Sequence, residues 1–253
     1  MLQITKDLIS WIKQYYAGNP DGYAIIGISG GKDSTICAAL FVEALGNDRV
    51  IGVLMPNGEQ SDIEDSKKVC NLLGIQHHIV NIKRAYQDII DALALCEETG
   101  DIPDMIKTNL PSRLRMATLY AVAALYPNSR VVNTSNYSER YVGYSTKFGD
   151  GAGDFSPLGN LPVTAVLAIG DDLGLPSELV HKVPSDGMSG KTDEDNLGFT
   201  YADLDEYLNE NDYKLDAVTI EKIEARHKAN CHKLLDMPRY APSMGILSEV
   251  LNK

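Results

Sequence analysis

The chain has 253 residues, 44% hydrophobic and 23% charged, an ordinary composition for a globular α/β protein. Its formal charge of −12 argues against nucleic acid or an anionic membrane as partner, so a polyanionic ligand must be met by local cations and backbone amides. Cys37, Cys70, Cys96 and Cys231 form no CxxC pair, which disfavours a disulfide framework or zinc site and points to a reducing, cytoplasmic setting.

The N-terminus, MLQITKDLISWIKQYY, reads as an amphipathic helix rather than a signal peptide. Trp11, Tyr15 and Tyr16 are packing residues at its edge or a subunit contact. Strand-like runs then alternate with helical ones: YAIIGI (23–28), RVIGVLM (49–55), QHHIVNI (76–82) and RVVNTS (130–135). They are short, rich in Val and Ile, and apolar on both sides, as suits a parallel sheet covered on both faces. The rhythm predicts a doubly wound, mainly parallel sheet with helices on both faces and a helical C-terminal part. Ligands of such sheets bind beyond the carboxyl ends of the strands, where the loops after Ile28, Leu54 and Val132 open. Cys37 and Cys70 fall on apolar helix faces and belong to the core. His77 and His78 alternate across their strand and receive no function. LRMATLYAVAALY (114–126) is a core helix or a subunit interface.

After Asp150 come a Gly-Pro loop and a helix, LPVTAVLAIGDDLG, with Pro162 near its first turn. The stretch 183–199, VPSDGMSGKTDEDNLGF, is polar and aperiodic and reads as a surface loop or lid. TYADLDEYLNE and KLDAVTIEKIEARHKANCHKLL are helices. No linker divides the chain, so residues 1–253 form one domain.

The chemistry begins at GISGGKDST, residues 27–35. A Walker A loop fails here, because Ile26 replaces its first glycine and Asp33 follows Lys32. The spacing of Gly27, Gly30 and Gly31 also fails the dinucleotide fingerprint. What remains is strand, SGGxDS, helix. Glycines let the backbone approach a ligand, Ser29, Ser34 and Thr35 offer hydroxyls, and the opening amides of the helix favour an anion. Asp33 repels phosphate unless a divalent cation bridges the two.

SGGKDS resembles the signature of the PP-loop ATP pyrophosphatases. Three further stretches are similar to segments of NAD synthetases: NLPSRLRM (109–116), TSNYSERYVGYSTKFGDGAGDFSPLG (134–159) and KTDEDNLGFTYADLDEYL (191–208). MPNGEQSDIED (55–65) matches their loop after the second strand. The resemblance runs from about residue 20 to the C-terminus, in family order, and implies an adenine nucleotide alpha hydrolase-like fold. With about 25 residues before the loop, the chain resembles the ammonia-using form.

The resemblance implies that ATP adenylates the carboxylate of deamido-NAD and that ammonia then displaces AMP. It implies that Gly27, Ile28, Ser29, Gly30, Gly31, Lys32, Asp33 and Ser34, with Thr134 and Ser185, bind ATP. Asp33 and Glu139 hold Mg²⁺. Arg113, Lys147, Asp154, His232 and Lys233 hold deamido-NAD, His227-Lys228 being a rival for the last pair. Asp150 serves the ammonia site, and the catalytic set is Asp150, Asp33 and Lys147. A homodimer is implied as well. Another PP-loop amidotransferase and a non-catalytic nucleotide binder stay open as alternatives.

Two basic positions of the family are absent: Val163 and Leu54 stand where it carries cations. Lys32 and Lys191 are candidates to supply the missing charge. Losing a charge-assisted phosphate contact costs about 1.5–3 kcal/mol. Lys32→Ala is therefore expected to raise the ATP KM about tenfold or more. An unchanged KM removes Lys32 from this role.

Overall fold

The computed structural model describes residues 1–59, 63–96, 101–182, 192–209 and 214–242. Helix α1 (Gln3–Tyr16) precedes β1 (Ala24–Gly27), α2 (Lys32–Leu45), β2 (Val50–Leu54), α3 (Ile63–Leu73) and β3 (Gln76–Ile79). Helices α4 (Lys83–Ala94) and α5 (Asp104–Ala123) lead to β4 (Arg130–Val131). Five short or medium helices follow: α6 (Tyr137–Tyr141), α7 (Val163–Asp172), α8 (Ser177–Val180), α9 (Asp193–Leu197) and α10 (Tyr201–Leu208). Helix α11 (Ala217–Asn230) comes last among the described residues.

The four strands form one parallel sheet in the order β3-β2-β1-β4. Alternation along β1 and β2 explains why both faces are covered. Ala24, Ile26, Val50 and Leu54 join α1, α2 and α7 in one apolar cluster. Ile25, Ile51, Val53 and Val131 join Val122 and Ala123 of α5 in another. The chain runs outward from β1 to β3, then returns to place β4 on the other side of β1. The loops after β1 and β4 thus diverge and leave a crevice between them, the place where such sheets bind ligands.

The edges depart from expectation. β3 is half exposed, with Ile79 on the surface, because it has a sheet neighbour on one side only. β4 is two residues long. Its outer edge is taken by residues 154 and 155: Asp154 N donates to Val131 O at 2.8 Å, and Asn133 N donates to Phe155 O at 3.0 Å. The Asp154 carboxylate accepts Val131 N at 2.7 Å and Tyr120 OH at 3.2 Å. Helix α5 begins ten residues before the apolar run that announced it and passes through Pro111, its first half being too polar to show a helical period.

A further correction falls on residues 192–199. Thr192 and Asp195 form a capping box, and Thr200 and Asp203 form the next one. Each T-x-x-D unit satisfies opening amides reciprocally, so residues 193–197 form α9 rather than a loop and α10 follows as the expected helix, while 183–191 lie outside the described residues. Its Leu197, Phe199, Tyr201 and Leu204 build a third apolar cluster with Val142, Val163 and Ile223.

Phe41 of α2 is fully buried, edge-on to Tyr16 and Phe155 at centroid distances of 6.3 and 5.6 Å. It ties α1 and the β4-flanking loop to the sheet. Phe41→Ala is expected to destabilise the protein by about 3–5 kcal/mol, read as a lower midpoint of urea unfolding at an unchanged slope.

Candidate active site

The loop after β1 is shaped by Gly30 and Gly31. Gly30 has φ +75°, and a Cβ there would stand 3.0 Å from the Ser66 backbone nitrogen, so only glycine lets α3 pack this close. Gly31 is the N-cap of α2 and offers no side-chain acceptor. The opening amides of α2 therefore lack the usual side-chain cap and are suited to an anion. Ser29 and Ser34 are engaged within the loop. Their hydroxyls lie 3.1 Å apart, Ser34 Oγ donates to Gly31 O at 3.1 Å, and Gly31 N donates to Ser29 Oγ at 3.2 Å. Thr35 Oγ1 donates to Gly31 O at 2.8 Å.

Asp33 stands at the second position of α2, so its carboxylate is not spent on capping. Lys32 Nζ lies 2.8 Å from Asp33 Oδ2, and Asn136 Nδ2 donates to Asp33 Oδ1 at 3.1 Å. The same Asn136 side chain, fully buried, accepts Glu139 N at 2.9 Å as the N-cap of α6. One amide thus fixes Asp33 and the helix that carries Glu139. Asp193 of α9 is buried nearby and accepts Tyr144 OH at 3.1 Å and Tyr201 OH at 3.4 Å. Burial first, then the charge of Asp33, pushes the Glu139 carboxyl up to about 8; Lys32 opposes the rise and Asp193 adds to it. Burial of Lys32 works against its charge but is outweighed by Asp33, Glu139 and Asp193, which hold the ammonium protonated. The ammonium also lies 5.4 Å from the centre of the Tyr201 ring, a favourable cation–π distance.

These groups face a cavity of about 820 Å³ in the crevice between β1 and β4. Gly27, Ile28, Ser29, Gly31, Lys32, Asp33, Ser34, Thr134, Glu139, Asp150 and Lys233 are on its wall. Lys32, Arg115, Lys182, Arg226 and Lys233 bring cations to this wall in a chain whose net charge is −12. Asn133 shapes the Asp150 loop, donating to Asp150 O at 2.8 Å and Ala152 O at 3.1 Å. Asp150 Oδ1 accepts Thr146 N at 2.9 Å. Lys233 Nζ donates to Gly143 O at 2.7 Å and Ser145 O at 2.9 Å, which docks the end of α11 on this wall.

Other expected residues fall beside the cavity rather than on its lining. Arg113 Nε donates to Lys147 O at 3.4 Å, and Lys147 Nζ donates to His232 O at 2.7 Å, so the three form a chain outside the wall. Asp154 belongs to a separate hollow with Tyr120, Ser129 and Arg130. The His227 ring is stacked on Tyr141 at 4.1 Å, and its Nδ1 lies 2.7 Å from Tyr141 O, whereas Lys233 of the second His-Lys pair reaches the cavity. Ser185 and Lys191 lie outside the described residues.

At position 163, where the resemblance implies a cation, the surroundings are apolar. Val163 opens α7 within the apolar cluster of Tyr201, and its amide donates to Ser138 Oγ at 3.1 Å. The buried Asp205 carboxylate accepts Ser138 Oγ and, at 2.8 Å, Thr164 N. A carboxylate at a helix N-terminus is favourably placed. Asn136, Asp193 and Asp205 all lie inside the quoted signature stretches, but nothing in their spacing separates a bridge or cap from a ligand.

The sequence profile of the NAD synthase family matches residues 4–238. This chain belongs to the NAD synthase family. It is 41% identical over 202 residues to the NH(3)-dependent NAD(+) synthetase of Thermococcus kodakarensis, covering 79% of this chain and 77% of the relative. The enzyme of the same name from Carboxydothermus hydrogenoformans is 34% identical, with 92% and 96% covered. Among solved structures, the NMN synthetase of Francisella tularensis superposes with a TM-score of 0.83 at 34% identity, covering 94% of this chain and 98% of that one. The NH3-dependent NAD synthetase of Campylobacter jejuni gives 0.76 at 30% identity, with 95% and 98% covered.

For this NAD synthase the donor chemistry fits Mg²⁺. Asp33 and Glu139 offer hard carboxylate oxygens on one wall. Among the described residues no three His, Cys, Asp or Glu side chains form a protein-only cage. Mg²⁺ is commonly held by one or two carboxylates with phosphates and water completing its shell.

The raised Glu139 carboxyl has a consequence for stability. Between about pH 4.5 and 8 the folded protein holds this proton and the unfolded chain releases it, so stability falls as pH rises through that window. Glu139→Gln removes the liability. Without nucleotide, the variant is expected to melt higher than the parent at pH 8 and to lose that advantage by pH 4.5.

Proposed function

We propose that this chain converts deamido-NAD to NAD with ammonia and ATP, releasing AMP and pyrophosphate. The observation that carries the reading is the pairing of Asp33 and Glu139, fixed by Asn136, beside the uncapped start of α2. The family match over residues 4–238 supports a single functional unit spanning 1–253.

In this mechanism the amides opening α2 receive the ATP phosphates, and Lys32 and Lys182 supply charge from two sides of the cavity. Mg²⁺, held by Asp33 and Glu139, would neutralise charge on the phosphates as pyrophosphate departs. A carboxylate oxygen of deamido-NAD attacks the α-phosphorus, and the α–β phosphoanhydride bond breaks. Ammonia then attacks the activated carbonyl carbon, the C–O bond to AMP breaks, and the excess proton on nitrogen passes to Asp150. Asp150 is exposed at the cavity and held by Thr146 N, so its carboxylate is aimed without being buried. The Arg113–Lys147–His232 chain next to the wall brings cations suited to the dinucleotide's pyrophosphate. Asp154 would join them from its separate hollow.

A cytoplasmic homodimer completes the proposal. Leu119 and Val122 of α5 pack inward, while Tyr120 and the nearby Leu125 are exposed and available to a second copy. Among the described residues no helix is long and apolar enough to cross a membrane. A second acceptor is favoured by one observation, the close superposition on an NMN synthetase. On that reading the mononucleotide carboxylate replaces deamido-NAD in the same chemistry.

The test combines purified protein with ATP, Mg²⁺, ammonium and deamido-NAD, and reads NAD through a coupled alcohol dehydrogenase. NAD is expected only when all four are present, and Asp150→Asn should lower kcat by about 10²-fold or more. A higher kcat/KM with nicotinate mononucleotide moves the acceptor. Pyrophosphate release with neither acceptor overturns the reading.

A further inference from the structure

We infer that Lys32 is a resident cation on the Asp33–Glu139 carboxylate pair, which keeps a divalent ion out until nucleotide phosphates draw the ammonium away. The inference rests on the proposed assignment of those two carboxylates to the metal.

Lys32 is 6% exposed, although it opens α2 on the wall of the cavity. Lysines are seldom buried unless paired. Here the pairing is with a proposed metal ligand itself: Nζ is 2.8 Å from Asp33 Oδ2. Asn136 takes the other oxygen, Oδ1, at 3.1 Å. Both oxygens of Asp33 are therefore satisfied without an ion. The ammonium charge also acts on Glu139 and Asp193, the two other carboxylates of this wall. Tyr201 presents its ring face to the ammonium at 5.4 Å, and Val163 packs in the same apolar cluster as that ring.

An incoming divalent ion would meet a fixed positive charge within hydrogen-bond distance of its own ligand, a repulsion that solvent screens little at a buried site. A triphosphate reverses the balance. It gives the metal oxygen ligands and gives Lys32 an alternative anion at the start of α2. Metal and nucleotide then bind together or not at all, and free divalent ions do not load the resting site.

The test is Mn²⁺ binding followed by water-proton relaxation, which reports ion tumbling with the protein and needs no turnover. The parent protein, Lys32→Met and Lys32→Arg are titrated alone and with an ATP analogue carrying a methylene bridge between the α and β phosphorus atoms. Lys32→Met alone is expected to bind Mn²⁺ about tenfold or more tightly than the parent alone. Lys32→Arg alone should stay as weak as the parent. The parent should gain affinity with the analogue. A tighter site after deleting a buried lysine is not what simple loss of packing produces. Should Lys32→Met fail to fold, the parent decides: Mn²⁺ bound equally well with and without the analogue overturns the inference and leaves the metal site standing. Equal affinity in parent and Lys32→Met does the same. No protein-bound Mn²⁺ under any condition overturns both the inference and the assignment of Asp33 and Glu139.

Discussion

Two carboxylates must share one wall of a cavity without driving each other apart, and much of this structure answers that constraint. Asp33 and Glu139 come from helices 103 residues apart at the Asn136–Asp33 contact, so local sequence cannot hold them together. The fully buried Asn136 amide does, by donating to one and capping the helix of the other. Burial first, and then the like charge of Asp33, raises the Glu139 carboxyl; Lys32, a residue of the chain itself, opposes the rise without cancelling it.

The sheet makes this meeting possible. Residues after β1 and after β4 are neighbours because the strand order reverses between them. The carboxyl ends of both strands therefore deliver loops to one crevice, α2 with its uncapped start on one side and α6 with Glu139 on the other. The C-terminal helices close the construction from outside: Asp193 comes from α9, Arg226 from α11 and Lys233 from the turn just after it. Asp205 does a quieter task. It joins α10 to the first turn of α7 and to Ser138 of α6, so the helix that carries Glu139 is tied to the C-terminal part.

The doubly wound sheet was legible because β1 and β2 are apolar on both faces and their alternation is plain in YAIIGI and RVIGVLM. The tight glycine turn into α2 is legible because glycines and hydroxyls crowd that one junction, and Gly30 does take the positive φ that only glycine adopts easily. The edges were harder. β3 is QHHI, with Ile79 as its one aliphatic residue, and strand-like alternation alone does not say which strand lies at the edge of the sheet. Within the stretch 183–199, α9 is hidden by its composition: Thr and Asp look like loop residues until paired three apart as a capping box. Asn136 was invisible for a different reason. A buried amide that bridges two distant elements leaves no periodic trace.

Val163 and Lys32 have a consequence for how such a site can change over time. Lys32 already holds its ammonium over the Tyr201 ring, and Val163 lies in the apolar cluster that backs this ring. A lysine at 163 would bring a second ammonium into surroundings that accommodate one. A change at 163 is therefore constrained by burial first: an ammonium there would lose its water inside an apolar cluster before it met any anion.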